Sequence, residues 1–458
     1  MSAPGKPPKP PARPAKVSLL RYGRMFRRDI LSAQPARLYR AWMAEFRTPF
    51  FRSFMCNDPK LVDLVLQQRP DDFPKSDRVR EGLAPLLGNS VFITNGETWK
   101  RQRRIIDPAF EGGRLRDTFP AMWDAGMAAV ARLGAVADGR ALEIEAETSH
   151  IAADVIFRTL FSIPIEDETA GAVFAKFRDH QRASPVMNLG ALLPLPRWFP
   201  RFHSRQTRQT ARDIRALITE LTAARMAEIE AGKAPDDLAT KIMTTPDPQS
   251  GKCFDTEEMV DQVAIFFLAG HETSASALSW ALYLLAMFPD WQDRVAAEAK
   301  AHIDPEKIYF STLSKLKTSR DVFRETMRLY PPVPMMVREA VKCEHFRDRD
   351  VPQGSQIVLS PWHLHRHERL WQNPDAFDPA RFGTENGKAC LRNAYMPFSR
   401  GQRVCPGAGF AMAEGPLLLS LLVRAFRFEL VKGREAMPVA HLTVRGKDGI
   451  WLALRPRA

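Results

Sequence analysis

The sequence of 458 residues has few cysteines and no arrangement of them that is typical of a zinc site or a disulfide framework. The five cysteines are scattered, odd in number and contain no C-x-x-C pair. No apolar run approaches the roughly 18 residues needed to cross a bilayer, and there is no signal-peptide hydrophobic stretch. These absences favour reduced thiols in a cytoplasmic protein without a transmembrane segment.

Acidic residues are missing from the first 28 positions, which carry eight lysines and arginines. That tail supplies eight of the 13 net positive charges and leaves +5 for the remaining 430 residues, so the body needs no nucleic-acid partner. Six prolines among the first fourteen residues predict a disordered Pro/Lys-rich leader over 1–16. The segment "VSLLRYGRMFRRDIL" is compatible with membrane-surface contact. Its charge pattern favours a solvated arm that leads into the first helix.

Helical periodicity dominates the rest of the chain, and no repeat or convincing linker divides it. Long helices are predicted over 97–110, 115–133, 148–161, 205–231 and 256–288. Strand signals are few: "SQIVLS", "FRFEL", "HLTV" and "IWLAL", the last two on either side of an "RGKDG" hairpin turn. The Pro-rich stretch 192–202 predicts a loop. The sequence therefore predicts a single domain over 17–458 that is mainly α with a small β region.

The longest predicted helix begins at a capping box formed by Asp255 and Glu258 and ends before Pro289. About 32 residues at 1.5 Å each give roughly 48 Å, enough to cross a whole domain. Apolar residues surround this helix almost completely, so we expect it to be buried along much of its length.

The middle of this helix is unusual because Gly270 is followed by His271, Glu272 and Thr273. A glycine in a helix interior costs about 1 kcal/mol relative to alanine. Two interpretations stay open. In the first, the helix kinks at Gly270 and Thr273 bonds back to a carbonyl one turn earlier. In the second, the helix opens locally for a small molecule and water, with an acid and an alcohol to handle protons.

The stretch "PFSRGQRVCPGAGFA" sets one cysteine, Cys405, in a glycine-rich loop before a helix. Pro406 favours a helix start there, so free amides and the helix dipole favour a thiolate. Gly401 and Gly407 allow a tight backbone around the sulfur. A lone anionic sulfur suits iron already held by a four-coordinate macrocycle, and Arg403 suits a haem propionate. An inert buried thiol on a haem-free helical scaffold is the alternative interpretation.

The pattern F-x-x-G-x-R-x-C-x-G-x-x-x-A over 398–411 resembles the cysteine loop of the cytochrome P450 haem-thiolate monooxygenases. The resemblance extends over roughly residues 45–458. It implies the P450 fold of a soluble bacterial-type member, with haem b (iron protoporphyrin IX) between the long central helix and the cysteine-loop helix. It also implies that Cys405 is the iron ligand and that Phe398, Arg403 and Gly407 contact the cofactor.

Other marks of that family follow in order along the chain. In "ETMR", Glu325 and Arg328 lie three apart on one helix face, where an ion pair can form. By resemblance, Arg381 of "FDPARF" completes a structural Glu–Arg–Arg cluster that braces the fold near the cysteine loop. In "GETWKRQRRIIDPAF", Trp99 and Arg103 share a helix face. The resemblance implies that both side chains hydrogen-bond a haem propionate. It implies the same contact for Arg338.

The segment "AGHET" is similar to the oxygen-binding segment of the family. The resemblance implies catalytic roles for Thr273, which orients dioxygen and water, and for its acidic neighbour Glu272 in proton delivery. The rival to this enzyme is a non-catalytic haem-based ligand binder or sensor, against which the acid–alcohol pair argues.

The resemblance thus implies a monomeric monooxygenase that inserts one oxygen atom from O2 into a lipophilic substrate. Electrons come from a separate ferredoxin or flavodoxin, because no reductase domain is fused to the chain. Four cations are candidates for steering this partner: Lys100, Arg101, Arg104 and Arg400. The residues expected to line an apolar substrate pocket are Phe266, Ala269, Val333, Met335, Met336 and Val337; a core-filling role for the two methionines stays open.

Overall fold

The computed structural model describes residues 5–14, 16–47, 51–183, 204–307 and 309–457. The predicted loop at 192–202 lies outside the described residues. Helices dominate, as predicted. Within the described ranges the α-helices are α1 (Leu19–Arg28), α2 (Pro59–Asp63), α3 (Asp77–Leu87), α4 (Gly96–Ile106), α5 (Arg114–Asp117), α6 (Phe119–Gly134), α7 (Ile144–Phe161), α8 (Glu168–Ala183), α9 (Arg205–Glu230), α10 (Leu238–Thr244), α11 (Thr256–Met287), α12 (Pro289–His302), α13 (Lys317–Leu329), α14 (Pro361–Leu364), α15 (Glu385–Asn393) and α16 (Ala408–Ala425).

The strands are short and form small sheets at the edges of the helical body. They are β1 (Met43–Arg47), β2 (Arg52–Cys56), β3 (Ala141–Glu143), β4 (Met336–Glu339), β5 (Glu344–Phe346), β6 (Arg349–Val351), β7 (Gln356–Leu359), β8 (Phe426–Leu430), β9 (Pro438–Ala440), β10 (Val444–Gly446) and β11 (Trp451–Pro456). The largest described sheet has the order β1-β2-β7-β4, in which β2 and β7 are parallel. A second sheet has the order β3-β11-β8, and the pairs β5–β6 and β9–β10 are separate.

The long helix α11 runs through the main hydrophobic core. Its N-terminus carries the predicted capping box between Asp255 and Glu258, and it ends at Met287 with Phe288 as its C-cap, before Pro289. The α-helix continues without interruption through Gly270. A Cβ at Gly270 would overlap the Ile156 side chain of α7. The glycine therefore serves close helix packing, which offsets its helix-propensity cost.

The predicted pairing of "HLTV" with "IWLAL" across a hairpin is wrong. His441 to Thr443 form the turn between β9 and β10, which pair with each other. Strand β11 pairs instead with β3 and β8, because its alternating apolar side chains pack into the core between them.

The leader differs from the disordered segment predicted over 1–16, because residues 5–14 lie against the body. The Tyr330 hydroxyl donates to the Pro8 carbonyl at 2.8 Å, and Lys9 Nζ pairs with Asp375 at 2.9 Å. Arg13 donates through Nε to the Ala33 carbonyl at 2.7 Å. Polyproline segments have no internal hydrogen bonds, so tertiary partners decide whether they are ordered.

One described helix, α16, is long and apolar enough by composition alone to cross a membrane, with 61% of it buried in the fold. The sequence predicts no such segment. The helix packs its leucines into the main core, where neighbouring helices rather than lipid surround them.

Candidate functional site

The cysteine loop is shaped by one glycine with a left-handed backbone. Gly401 has φ +67°, and a Cβ there would collide with the Leu66 carbonyl of the turn that follows α2. The backbone then returns so that Cys405 N–H donates to the Phe398 carbonyl at 2.9 Å. Helix α16 begins at Ala408 with Gly407 as its N-cap. Cys405 therefore lies two residues before the N-cap, whereas the helix start predicted at Pro406 would place it at the N-cap or next to it.

The surroundings of the thiol act in two directions on its pKa. Although the Cys405 side chain is exposed, the protein packed around the loop partly desolvates its sulfur and raises the pKa of Cys405 above the ordinary value. The Gly407 N–H and the positive charges of Arg103 and Lys75 lower it, but by less. Contrary to the expectation from the helix N-terminus alone, the protein by itself thus favours the neutral thiol. A bound cation at the sulfur, such as iron, is what would favour the thiolate.

Four cationic side chains lie close to one another near Cys405: Lys75, Arg103, Arg338 and Arg403. Burial, and then the charges of Arg338, Arg403 and Arg103, lower the pKa of Lys75 well below its ordinary range. Burial and the charges of Arg338 and Arg103 lower the pKa of Arg403 to about 9. Burial lowers that of Arg338 to about 10. We call these four residues the open cation cluster.

Carboxylates are scarce beside this cluster. Within the described ranges only Arg103 of the four forms an ion pair, with Asp107 at 2.7 Å. Arg403 instead donates to the Thr94 carbonyl and stacks on Trp99, its guanidinium carbon 4.0 Å from the ring centroid. Buried cations without counter-ions are costly. A cofactor with two carboxylates and a metal for the Cys405 sulfur fits this donor set.

The structure thus brings Trp99, Arg103, Arg338 and Arg403 together beside Cys405, and it adds Lys75, which sequence reasoning missed. Lys75 forms a β-bridge with Arg338 and donates to the Phe92 carbonyl. Its only sequence signal is a single lysine inside the acidic, turn-forming stretch "DDFPKSD".

On α11 the acid and the alcohol of "AGHET" point to different neighbours. Thr273 Oγ1 donates back to the Ala269 carbonyl at 2.5 Å. This is the bond to a carbonyl one turn earlier that the first interpretation of the "AGHET" segment predicts. Ala269 is exposed although the helix around it is buried. Glu272 is buried and accepts hydrogen bonds through Oε1 from Thr443 and Arg445, both at 2.7 Å. The two side chains are therefore not in contact with each other.

A second carboxyl near Thr273 escaped the sequence analysis. Glu414 of α16 is buried, and its Oε2 accepts from Ser274 at 3.3 Å, which links α16 to α11 beside Thr273. Burial raises the pKa of Glu414 to about 8. Its Oε1 has no partner among the described residues. A glutamate inside the apolar run of "AMAEGPLLL" was the available signal.

The Glu–Arg–Arg cluster is fully buried and fully paired. Arg328 donates to both oxygens of Glu325 at 2.7 and 2.8 Å, and Arg381 Nε donates to Oε1 at 2.9 Å. The remaining guanidinium N–H groups donate to backbone carbonyls, among them that of His365. The His365 Nε2 in turn accepts from the Met396 N–H, just before the cysteine loop. This chain of contacts ties helix α13 to the loop that carries Cys405.

The residues expected to line a substrate pocket lie in different environments. Val333 and Val337 are half-buried. Met335 and Met336 pack against core clusters, which accords with the core-filling interpretation. Phe266 lies 5.8 Å from the ring of Phe110, which in turn contacts Phe410 of α16.

Comparison with known proteins accords with this site. The family model described as Cytochrome P450 matches residues 7–450. The chain is 31% identical over 399 residues to the cyclooctat-9-en-7-ol 5-monooxygenase of Streptomyces melanosporofaciens, covering 85% of this chain and 83% of that protein. It is 29% identical to a cytokinin hydroxylase of Arabidopsis thaliana, covering 83% and 74% of the two chains.

The fold is similar to the crystal structure of the cytochrome P450DA heme domain, with a TM-score of 0.79, 22% identity and 98% of each chain covered. The family match covers almost the whole chain, including the cysteine loop, and it favours an enzyme over the non-catalytic haem binder. The chain belongs to the cytochrome P450 family and is an oxidoreductase, a monooxygenase whose cofactor is haem b.

Proposed function

We propose that this monooxygenase inserts one oxygen atom from O2 into a lipophilic organic substrate, with electrons from a separate ferredoxin or flavodoxin. The observation that carries the proposal is the open cation cluster next to Cys405. Three of its four cations lack an ion-pair partner within the described ranges. Such a site suits a dicarboxylate cofactor whose metal takes the sulfur.

The residues have distinct roles in this proposal. Cys405 would be the sulfur ligand of haem b, whose iron, when bound, activates dioxygen. Trp99 and the open cation cluster would hold its propionates. Phe398 and Gly407 would shape the loop around the sulfur through their backbone contacts with Cys405.

Protons reach the oxygen side through α11. Thr273 would orient dioxygen and water by its hydroxyl, since it lies next to the exposed Ala269. Glu272 would supply protons after leaving its present partners, and Ala269 would stand in the wall of the substrate site. This assignment gives the acid and the alcohol separate tasks.

The absorption spectrum of the reduced, carbon monoxide-bound protein tests the cofactor site. We expect the red-shifted Soret band of thiolate ligation in the wild type and in Cys343→Ala, which removes an exposed free thiol as a matched control. Cys405→Ala should lose that band. A wild type that takes up no hemin, or a Cys405→Ala variant with an unchanged spectrum, contradicts the proposal. Oxygenated product in a reconstituted turnover assay then separates an oxygenase from a passive haem binder.

The redox-partner proposal now depends on fewer residues than the sequence indicated. Arg101 pairs with Glu258 and Arg104 with Asp247, so both hold the fold together. Lys100 is 40% exposed and lines a cavity of about 180 Å³ together with Gln402 of the cysteine loop. Its ion-pair partner in the described chain is Glu97 on the same helix, at 3.0 Å, and Glu97 is itself 75% exposed, so this pair does not bury the charge. Exposed cations at this position would steer an acidic partner.

Charge reversal at Lys100 tests this steering. Lys100→Glu should slow reduction by an acidic ferredoxin at low salt, and the difference from the wild type should shrink as salt is added. The exposed Lys432 lies on the loop after β8, and Lys432→Glu is the matched control. Equal rates for Lys100→Glu and the wild type at every salt concentration would contradict this part of the proposal.

The substrate class is tested by binding. Val333, Val337 and Ala269 offer apolar surface, which supports a lipophilic substrate. A fatty acid, a terpenoid alcohol and a steroid should be titrated against the ferric protein and scored by the low-to-high spin shift. A shift with small polar compounds alone would contradict the proposed class.

We also propose a monomer in the cytoplasm with one domain over 17–458. Five unpaired cysteines support a reducing compartment. Sedimentation should give the mass of one chain, and flotation with anionic vesicles should leave the protein unbound. Flotation would instead favour surface contact through α1, whose Leu20 is 88% exposed.

A further inference from the structure

The side chain of Asn95 stands at the start of helix α4 but does not cap it. Asn95 is the N-cap residue and has an extended backbone, yet its side chain accepts no hydrogen bond from the first amides of α4. Asparagine is among the residues most favoured at an N-cap because its oxygen ordinarily makes that bond. The half-buried amide group of Asn95 therefore has other partners.

The Asn95 amide group pairs with the backbone of Lys75 as a peptide group would in a β-ladder. Its Nδ2 donates to the Lys75 carbonyl at 3.0 Å, and its Oδ1 accepts from the Lys75 N–H at 3.1 Å. Lys75 in turn forms an antiparallel bridge with Arg338 of β4. The side chain of Asn95 thus extends this ladder by one step beyond Lys75.

The same oxygen of Asn95 also contacts the cysteine loop. Arg403 Nη2 donates to Asn95 Oδ1 at 2.8 Å, and Arg403 Nη1 donates to the Thr94 carbonyl at 2.9 Å. The guanidinium carbon lies 4.0 Å from the Trp99 ring centroid. Both acceptors are neutral, so they fix the orientation of the guanidinium without neutralising its charge.

We propose that Asn95 is a positioning residue that aligns Arg403 with Lys75 and Arg338, so that the open cation cluster is preorganised for the carboxylates of the cofactor. This inference rests on the proposed function. One amide group joins three segments that are distant in the chain: the Lys75 segment on β4, the start of α4, and the cysteine loop. Preorganised cations bind an anion more tightly, because long side chains that must first be ordered lose rotamer freedom on binding.

A role in starting helix α4 is the alternative, and one substitution separates it from positioning. Serine is as favourable as asparagine at an N-cap. Its hydroxyl is attached one bond closer to the backbone than Asn95 Oδ1, so it does not reach the Arg403 guanidinium. Asn95→Ser should therefore keep the start of α4 and lose the contact with the cysteine loop, whereas Asn95→Ala loses both.

The test measures transfer of haem from the loaded protein to apomyoglobin. Asn95→Ser and Asn95→Ala should each lose haem several-fold faster than the wild type. In an Arg403→Met background, Asn95→Ser should add little to the rate of loss, because the two changes remove one interaction. A wild-type rate in Asn95→Ser, or a full additional rise in the Arg403→Met background, overturns the proposal.

Asn386→Ala is the matched control. Asn386 is likewise half-buried and lies in the first turn of α15. Its amide group donates to the Leu370 carbonyl at 2.8 Å and accepts from the Gln372 N–H at 3.2 Å, so it makes the same two kinds of backbone bond away from the open cation cluster. Asn386→Ala should leave the rate of haem loss unchanged. A rise equal to that of Asn95→Ala would show a general loss of order and would overturn the proposal.

A measurement on the haem-free protein tests the contact with Lys75. In hydrogen–deuterium exchange, Asn95→Ser should raise the exchange rate of the Lys75 amide several-fold, because that amide loses its acceptor. An unchanged rate would show that Asn95 does not hold the Lys75 segment, which contradicts the proposal. The carbon monoxide spectrum distinguishes the two levels. A wild type without thiolate-bound haem fails the proposed function, whereas haem loss that is insensitive to Asn95 in a protein with the correct spectrum fails only this inference.

Discussion

Two groups of arginines in this molecule differ in whether a carboxylate neutralises their charges. Arg328 and Arg381 share the carboxylate of Glu325, and their remaining donors reach backbone carbonyls. In the open cation cluster, Arg338 is also buried and Arg403 is half-buried, yet neither has an ion-pair partner in the described chain.

The difference indicates that the paired cluster stabilises the fold, whereas the open cation cluster is suited to binding an anion. Removing one partner of a buried, fully hydrogen-bonded ion pair is strongly destabilising, because it leaves an uncompensated buried charge. A cluster of unpaired cations costs free energy until an anion arrives. Removing a charge should therefore have opposite effects on the stability of the haem-free protein at the two places.

The largest effect is expected at the paired cluster. Arg328→Met leaves the fully buried Glu325 carboxylate short of a partner and should lower the free energy of unfolding by about 3–5 kcal/mol. Urea unfolding of the haem-free protein measures this. The control is Arg324→Met on the same helix, whose pair with Asp321 is partly exposed. It should cost below about 1 kcal/mol, and equal losses in the two variants would remove the distinction.

The opposite sign is expected in the open cation cluster. Lys75→Met removes a desolvated cation and should raise the free energy of unfolding of the haem-free protein by about 1–3 kcal/mol. The same variant should lose haem to apomyoglobin about tenfold faster, because a charge-assisted contact is gone. A variant that is destabilised without haem and retains haem normally would contradict the comparison.

The pH dependence of the unfolding free energy tests whether Lys75 destabilises the haem-free fold. Because burial and neighbouring cations lower the pKa of Lys75, the folded haem-free protein loses that proton below the ordinary lysine value of 10.5. Unfolding then takes up a proton, so the Lys75 contribution to stability rises with pH up to about 10.5. The difference in unfolding free energy between wild type and Lys75→Met should shrink as pH rises. A constant difference across this range would mean that the pKa of Lys75 is not lowered in the folded state.

The smallest effect is expected at the leader. Tyr330→Phe removes the donor to the Pro8 carbonyl and should cost about 0.5–1.5 kcal/mol. Deleting residues 2–14 should cost more in the wild type than in Tyr330→Phe, since the two changes share that bond. Thermal unfolding measures both. If the losses from the deletion and from Tyr330→Phe are fully additive, the leader stabilises the fold through other contacts, such as the ion pair of Lys9 with Asp375.

Patterns of short range were predictable from the sequence. The capping box at Asp255, the glycine-rich cysteine loop and the three-residue spacing of Glu325 and Arg328 depend on neighbours a few positions away. The tight turn at Gly401 is of this kind too, although its need for glycine comes from Leu66. The predicted strand at 441–444 failed because β-propensity alone does not decide which strand is the partner.

Local spacing sets helix faces, caps and turns, so the order of the residues was enough to predict the helical architecture, the cysteine loop and the family to which they belong. It was not enough to predict that Lys75 joins Arg338 beside Cys405, that the leader lies against Tyr330 or that Glu272 pairs with Arg445. These contacts join residues that are distant in the chain. Burial and charge act on them only after the chain has packed, so no local pattern indicates them.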